Sequence, residues 1–425
     1  MTAYRFRTLS AAALFVLLAF LVLAFGGVDL WALTIFEIGV FVLAAVWAVR
    51  IARGSLQPVW NPFYLPWGLL AAWTGVQYAF GLSVHRYRTE AQALKWLALW
   101  LLLVMAAHVF TDPSIRRRFN LSLAWFAFAL CVFGLVQYFT SRNVVYWAIP
   151  IPVGKIFGPF IDANHFVTLM ELIIPMTLVL ALRRSEQQVI YVVVANLILT
   201  AVVVCASRAG TALVALETAI VLGVTTLAPR RPRRSRQGRR LLLPLAGLAA
   251  VATFSFFVAG SQQLLERFHE EQPYALRWSV ARATWHLFLS RPFTGYGAGT
   301  FAEVYPSAAP FDEGVFWEDA HNDPVQFAME WGVIGLAVLV WTLCLLLRRN
   351  WPREVWLTLV LPLLIAVVHS WFDFPMQIPA VAAAWLLLLA QVDPAAEQAA
   401  HREARAGRPA SAAMEPVPAR VETGK

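Results

Sequence analysis

Apolar residues run through this chain in blocks close to the roughly 20 residues that a helix needs to cross a bilayer. The blocks fall at residues 9–25, 30–49, 64–82, 94–110, 121–139, 166–182, 189–205, 211–227, 241–259, 325–347, 355–371 and 378–392. They predict an all-α, polytopic membrane bundle of about twelve transmembrane helices. One long polar interval, residues 261–324, interrupts the series, and a tail rich in Ala, Pro, Arg and Glu, residues 393–425, ends it. The expected organisation is helices 1–9 within residues 1–260, a large loop carrying amphipathic helices at 261–324, helices 10–12 at 325–392, and a disordered tail at 393–425.

Composition narrows this further. A chain of 425 residues that is 60% hydrophobic and only 14% charged lies outside the range of soluble globular domains. Its net charge of +9 does not imply nucleic acid, because most basic residues sit in short breaks between apolar blocks. Arg5 and Arg7, Arg50 and Arg53, Arg116 to Arg118, Arg183 and Arg184, the cluster at 230–240, and Arg348 and Arg349 share one side if every block crosses once. That side is the cytoplasm, together with both termini, and it puts the interval 261–324 on the opposite face. The first block follows Arg5 and Arg7 as in a signal peptide, yet no small-x-small cleavage site follows it, so an uncleaved helix is expected. Cys131, Cys205 and Cys344 all fall inside apolar blocks and are expected to be buried, inert thiols.

Several polar groups stand out against this background. Arg86 and Arg88, in a break at 84–92, run against the positive-inside trend, which an anionic ligand would explain. Ser207-Arg208-Ala209-Gly210 forms a tight turn on the same face. Ser207 is placed to cap the next helix, whose positive end and the Arg208 fork suit phosphate oxygens, although an arginine there equally serves by snorkelling to the interface. Residues 276–290 carry Trp278, Ala281, Trp285, Phe288 and Leu289 at helical spacing, bordered by Arg277 and Arg282, and predict an amphipathic helix on the membrane surface or on the bundle. Gly295, Gly297 and Gly299 lack the preceding strand of a nucleotide-binding loop and predict a flexible turn that folds back over a site.

His321 precedes Asn322, Asp323 and Pro324, with Asp323 expected as the N-cap and Pro324 in the first helical position. A helix N-terminus beside an imidazole favours its neutral, proton-accepting form, and Asp319 or Asp323 is placed to orient the ring. Taken alone, an interfacial histidine is more often a hydrogen-bonding residue than a base. Glu37, Glu171, Glu217 and Glu330 lie inside apolar blocks and serve either as interhelical hydrogen-bond partners or as a proton path. No HExxH, paired-carboxylate or zinc-like Cys/His spacing occurs, so neither a metal nor another cofactor is expected.

Taken in order, three motifs resemble the O-antigen ligase and polymerase superfamily. They are Ser207-Arg208-Ala209-Gly210; the run from Arg277 through Arg291-Pro292-Phe293-Thr294-Gly295-Tyr296-Gly297-Ala298-Gly299; and His321-Asn322-Asp323-Pro324-Val325-Gln326 with Glu330-Trp331-Gly332. The approach at 160–166, with Asn164 and His165, and the ending Asp373-Phe374-Pro375 are similar to that family's pattern as well. Departures are Pro324, where an aromatic residue is usual, and Ala209-Gly210 in place of Gly-Ala. The resemblance implies a bundle of the glycosyltransferase C type in the bacterial inner membrane, with its active site on the periplasmic face. Such a protein takes a glycan from undecaprenyl pyrophosphate and transfers it, without metal and with inversion, to a hydroxyl of lipid A-core or of another glycan.

Carried over by motif, His321 is the general base, Arg208 and Arg277 hold the pyrophosphate, and Asp373 is an acidic residue near the acceptor. Arg86, Arg88, Asn164, His165 and Arg282 complete the expected substrate-binding set. A polymerase of the same superfamily is the nearest alternative. A transporter or flippase of lipid-linked glycans is the next, although the two halves of the chain lack the related motifs common in transporters.

Overall fold

The apolar blocks become helices because each internally satisfies its backbone hydrogen bonds in a medium without water. The computed structural model describes residues 2–141, 143–151, 154–183, 186–227, 275–309, 314, 316–348 and 351–392. The first eight helices are α1 (Ala3–Leu23), α2 (Leu30–Ala52), α3 (Tyr64–Ala79), α4 (Arg86–Val109), α5 (Pro113–Thr140), α6 (Ala163–Leu182), α7 (Gln188–Cys205) and α8 (Arg208–Leu227). All but α3 are long and apolar enough to cross a membrane, seven in total among the described residues. Later come α9 (Ala275–Ser290), α10 (Asp323–Trp331), α11 (Val333–Leu347), α12 (Leu361–His369) and α13 (Pro379–Leu389). The protein is thus an all-α, multi-pass membrane protein. Its described strands are a short antiparallel hairpin between α5 and α6, β1 (Val144–Val145) with β2 (Ile149–Pro150). The expected ninth block at 241–259, the basic cluster at 230–240 and the tail at 393–425 lie outside the described residues.

At the centre stands α6. Its apolar residues cover the whole circumference, the pattern of a buried helix, and 89% of its apolar window is buried, against 28% for α2 and 22% for α8. It packs against α5, α7, α8, α12 and α13. Every residue of α13 from Pro379 to Leu389 is buried. The first turn of α6 carries Asn164 and His165, so the most rigid element of the bundle ends beside the polar face.

Four expectations are corrected by the packing. The block at 325–347 is two helices, because Gly332 adopts φ +65° between α10 and α11. A Cβ at Gly332 would meet the Pro292 and Phe293 carbonyl oxygens at 2.6 Å, and Val333 N–H donates to Pro292 O at 2.7 Å. Arg86 and Arg88 do not sit in a loop: α4 begins at Arg86, two turns earlier than the apolar pattern suggests, with the His85 ring capping it by accepting from Arg88 N–H. On α9 the buried face is Val280, Ala281, Ala283, Thr284, Leu287 and Phe288, packed on α10, whereas Trp278, Trp285 and Leu289 point outward. Cys131 and Cys205 are buried, but Cys344 is exposed on α11, since a helix at the edge of a membrane bundle buries only one side.

Tryptophans lock the α10–α11 joint to α3 and α4. Trp331 Nε1 donates to Thr74 Oγ1 at 2.7 Å, Trp73 Nε1 donates to Trp331 O, and the Trp331 ring lies 5.8 Å edge-on from Trp96. Both the left-handed backbone and the carbonyl contacts therefore require glycine at 332. Gly332→Ala is expected to destabilise the protein by about 1–3 kcal/mol, seen as a lower melting temperature in detergent. Gly75→Ala on α3, whose added Cβ meets nothing within 4 Å, is expected to leave the melting temperature unchanged or raise it.

Candidate functional site

The site is assembled where the loop before α10 meets the turn after α12. Asn322, not Asp323, is the N-cap of α10: its Oδ1 accepts from Val325 N–H at 3.1 Å, and Asp323 is already the first helical residue. Asn322 also reaches across the fold, its Nδ2 donating to Trp371 O at 2.9 Å. Asp323 N–H donates to Ser370 O, and Asp323 Oδ2 accepts from Met376 N–H, both at 2.9 Å. These bonds hold residues 370–376 against the start of α10 and bring together His321 and Asp373, 52 positions apart.

His321 has φ +49°, an uncommon conformation for a residue with a side chain. Neighbours on both sides fix it. Ala320 N–H donates to Gln326 Oε1 at 2.9 Å, and the Asn322 cap holds the following residue. The ring lies edge-on between Trp317, 5.2 Å away, and Phe374, 4.6 Å away. Its Nδ1 is 3.2 Å from Asp373 Oδ1, which also accepts from Phe374 N–H at 3.0 Å. Neither Asp319 nor Asp323, the orienting residues expected from the sequence, fills that role. Asp319 Oδ1 instead accepts from Gln326 Nε2, and Asp323 is engaged by Met376 and Gln377.

Burial opposes ionisation of Asp373, but the His321 hydrogen bond and the charges of Arg277 and His165 outweigh it and hold the carboxyl well below the usual carboxylate range. An ionised carboxylate only accepts hydrogen bonds. The hydrogen on the neutral imidazole therefore sits on Nδ1, and the Nε2 lone pair is left available to take a proton. Arg277 completes the cluster from α9, with Nη1 3.8 Å from Asp373 Oδ2 and donating to Phe372 O. The remaining donors of its guanidinium fork suit an oxyanion.

The other expected residues are placed as follows. His165 is buried on α6, its ring 4.8 Å edge-on from Phe374, so Phe374 links it to His321. Asn164 starts the same helix, its N–H bound by Asp162 Oδ1. Arg208 opens α8 at the same end of the bundle as the first turn of α6, where Gly210 lies against Val167, and Ser207 Oγ accepts from Gly210 N–H as a cap does. Arg88 pairs with Glu303 at 2.9 Å and lines the cavity described below, while Arg86 stacks on Tyr78 and Arg282 is exposed on α9. His321, Arg277, Asp373 and His165 are thus brought together.

The glycine segment is not a flexible cover. Tyr296 and Gly297 N–H donate to the Met329 and Glu330 carbonyls, Gly299 N–H donates to Glu330 Oε2 at 2.8 Å, and Gln77 Nε2 donates to the Thr294 and Glu330 carbonyls. A Cβ at Gly295 would fall 2.2 Å from Glu330 O. The loop is a packed joint that fixes Glu330, which together with Asp319 receives the Gln326 amide. Of the four in-span glutamates, Glu330 and Glu171 have side-chain partners, the latter His369 at 2.9 Å. Neither oxygen of Glu217 is bonded, nor is Glu37 Oε1, among the described residues. No three His, Cys, Asp or Glu side chains among the described residues are grouped to hold a metal ion.

Beyond Phe374 opens a cavity of about 640 Å³. Lys95, Gln92, Asp319, Gln326 and Phe316 line it, and Lys95 and Gln92 carried no signal in the sequence beyond being polar residues at helical spacing. Burial pushes the Asp319 carboxyl above its usual range, against the Gln326 amide and the charges of Lys95, His321 and His165. Asp373 thus stabilises the fold above the ordinary carboxylate range, about 3.9, and that stabilisation is lost as pH falls through its depressed folded value. Wild type is accordingly expected to lose more thermal stability between pH 5 and pH 3 than Asp373→Asn, read as the difference in melting temperature.

Known proteins add one finding. No curated protein matches the chain. Residues 195–340, which contain Arg208, Arg277 and His321, match the family model described as O-antigen ligase. Over that segment the chain is similar to the O-antigen ligase family.

Proposed function

We propose that this protein is a membrane glycosyltransferase of the O-antigen ligase type, which moves a glycan from undecaprenyl pyrophosphate to an acceptor hydroxyl on the periplasmic face of the bacterial inner membrane. The observation that carries this reading is the contact of His321 Nδ1 with a buried, ionised Asp373, with Arg277 beside it, inside the segment that matches the family. The acceptor is an unactivated alcohol, so its attack requires a base. As the acceptor oxygen bonds to the anomeric carbon, its proton passes to His321 Nε2. The bond from that carbon to the pyrophosphate oxygen breaks, and its electron pair leaves with the lipid pyrophosphate.

Pyrophosphate is already a good leaving group. Arg277 and Arg208, through bidentate donors, offset the charge that grows on it. Asp373 holds the imidazole in its reactive tautomer and stabilises the imidazolium that forms. One displacement inverts the anomeric centre. A polymerase performs the same step with a second lipid-linked glycan as acceptor, and product length separates the two.

The test is transfer by purified, reconstituted protein given an undecaprenyl-pyrophosphate glycan with lipid A-core or with a second lipid-linked glycan. His321→Ala is expected to lose about 10²–10⁴-fold in turnover while donor binding persists; near-normal turnover in that variant would remove His321 from the reaction. In the same assay Arg277→Lys is expected to lose most activity, since a point charge does not reproduce the fork. Wild-type rates for it would instead assign Arg277 to the structural anchoring of Phe372 alone.

A further inference from the structure

The cavity beyond Phe374 is lined by polar groups that the reaction at His321 does not use. Arg88, Gln92 and Lys95 follow one another at four- and three-residue spacing, which places them on one face of α4, and all three line the cavity. Lys95 is 2% exposed, and no carboxylate lies within ion-pairing distance of it among the described residues. His165 is 6% exposed and lines the same cavity, and its Nε2 has no hydrogen-bond partner. Gln92 Oε1 is likewise buried and unbonded. Buried polar atoms without partners are costly. Two of them around one cavity, with the buried Lys95 ammonium beside them, point to a ligand that supplies the missing bonds.

The wall also says what kind of ligand this is. The carboxylates Asp29, Asp162, Glu318, Asp319 and Glu330 outnumber the cations Arg88 and Lys95, and Arg88 is already paired with Glu303. A pyrophosphate would be repelled there. Arg277, the cation best placed to hold one, instead faces a small separate recess with Trp278, Trp371 and Phe372. Hydroxyl groups, by contrast, both donate to carboxylates and accept from lysine or amide N–H groups. Phe25, Phe316 and Phe374 add aromatic faces, whose negative quadrupoles attract the C–H face of a sugar ring. At about 640 Å³ the cavity lies within the 300–1,000 Å³ typical of small-molecule sites.

We propose that this cavity is the acceptor-saccharide subsite, with Lys95, Gln92 and His165 reading the sugar hydroxyls and Phe316 stacking on a ring. Its place next to Phe374, which touches both His165 and His321, leaves one aromatic ring between a bound sugar and His321. The assignment as acceptor rests on the transferase reading above; the assignment as a saccharide site rests on the cavity alone.

The experiment is calorimetric titration of the full chain in nanodiscs with three probes: the delipidated oligosaccharide of lipid A-core, the delipidated oligosaccharide of the lipid-linked glycan, and undecaprenyl pyrophosphate without sugar. One of the two oligosaccharides is expected to bind wild type, and which one does identifies the source of the acceptor. Lys95→Gln and Phe316→Ala are expected to weaken that oligosaccharide at least tenfold and leave undecaprenyl pyrophosphate unchanged. Phe316 is 69% exposed, so its variant keeps the test alive if Lys95→Gln does not fold. His321→Ala is expected to bind both ligands as wild type does. No binding of either oligosaccharide to wild type, or weaker pyrophosphate binding with unchanged oligosaccharide binding in the variants, overturns the proposal. Oligosaccharide binding that responds to both variants in a protein without transfer activity leaves the saccharide site standing and overturns only the transferase reading.

Discussion

The cluster of His321, Asp373 and Arg277 depends on the hydrogen bonds that join Asn322 and Asp323 to the turn after α12. The Asn322 amide, the Asp323 N–H and the Asp323 carboxylate each take a backbone partner between Ser370 and Met376. Such bonds are worth more in a membrane bundle than their number suggests, because the alternative is an unpaired backbone group away from water. They fix where Asp373 lies relative to His321, and they let His321 hold a left-handed backbone that would otherwise relax. Capping and site assembly are the same event here: Asn322 starts α10 with one end of its amide and anchors Trp371 with the other.

The bundle around that joint has a graded rigidity. α6 and α13 are buried through almost their whole length and hold one side of the site, while the glycine segment and the tryptophans of α3, α4 and α10 hold the other. Gly332 lets the chain turn from α10 into α11 at a point where carbonyls of the preceding loop leave no room for a side chain. His321, Asp373 and Arg277 are therefore held against the ends of packed helices.

Much of this was legible in the sequence. Apolar blocks located the described membrane helices, since lipid forces each span to satisfy its own backbone and block length follows from bilayer thickness, but α4 and α5 begin about two turns before their blocks and Gly332 divides the block at 325–347. The ordered motifs around Arg208, Arg277 and His321 marked the segment that matches the family. Long-range pairing was not legible. Nothing in the residues near Asp373 announces that it meets His321, and both closer candidates, Asp319 and Asp323, are taken by Gln326 and Met376. Glycines 295 to 299 signalled a special backbone correctly, but composition alone does not separate a mobile turn from one packed against carbonyls. Lys95 was hidden for a similar reason: a lysine inside an apolar block looks like a snorkelling residue until the cavity beside it is seen.

The central claim is that a buried, ionised Asp373 makes His321 Nε2 the proton acceptor. Turnover of Asp373→Asn in the reconstituted transfer assay tests it most directly, because asparagine keeps the shape and removes the charge that selects the tautomer. A loss of about 10²–10⁴-fold, similar to that of His321→Ala, is expected, with donor binding intact. Turnover close to wild type in Asp373→Asn would contradict it.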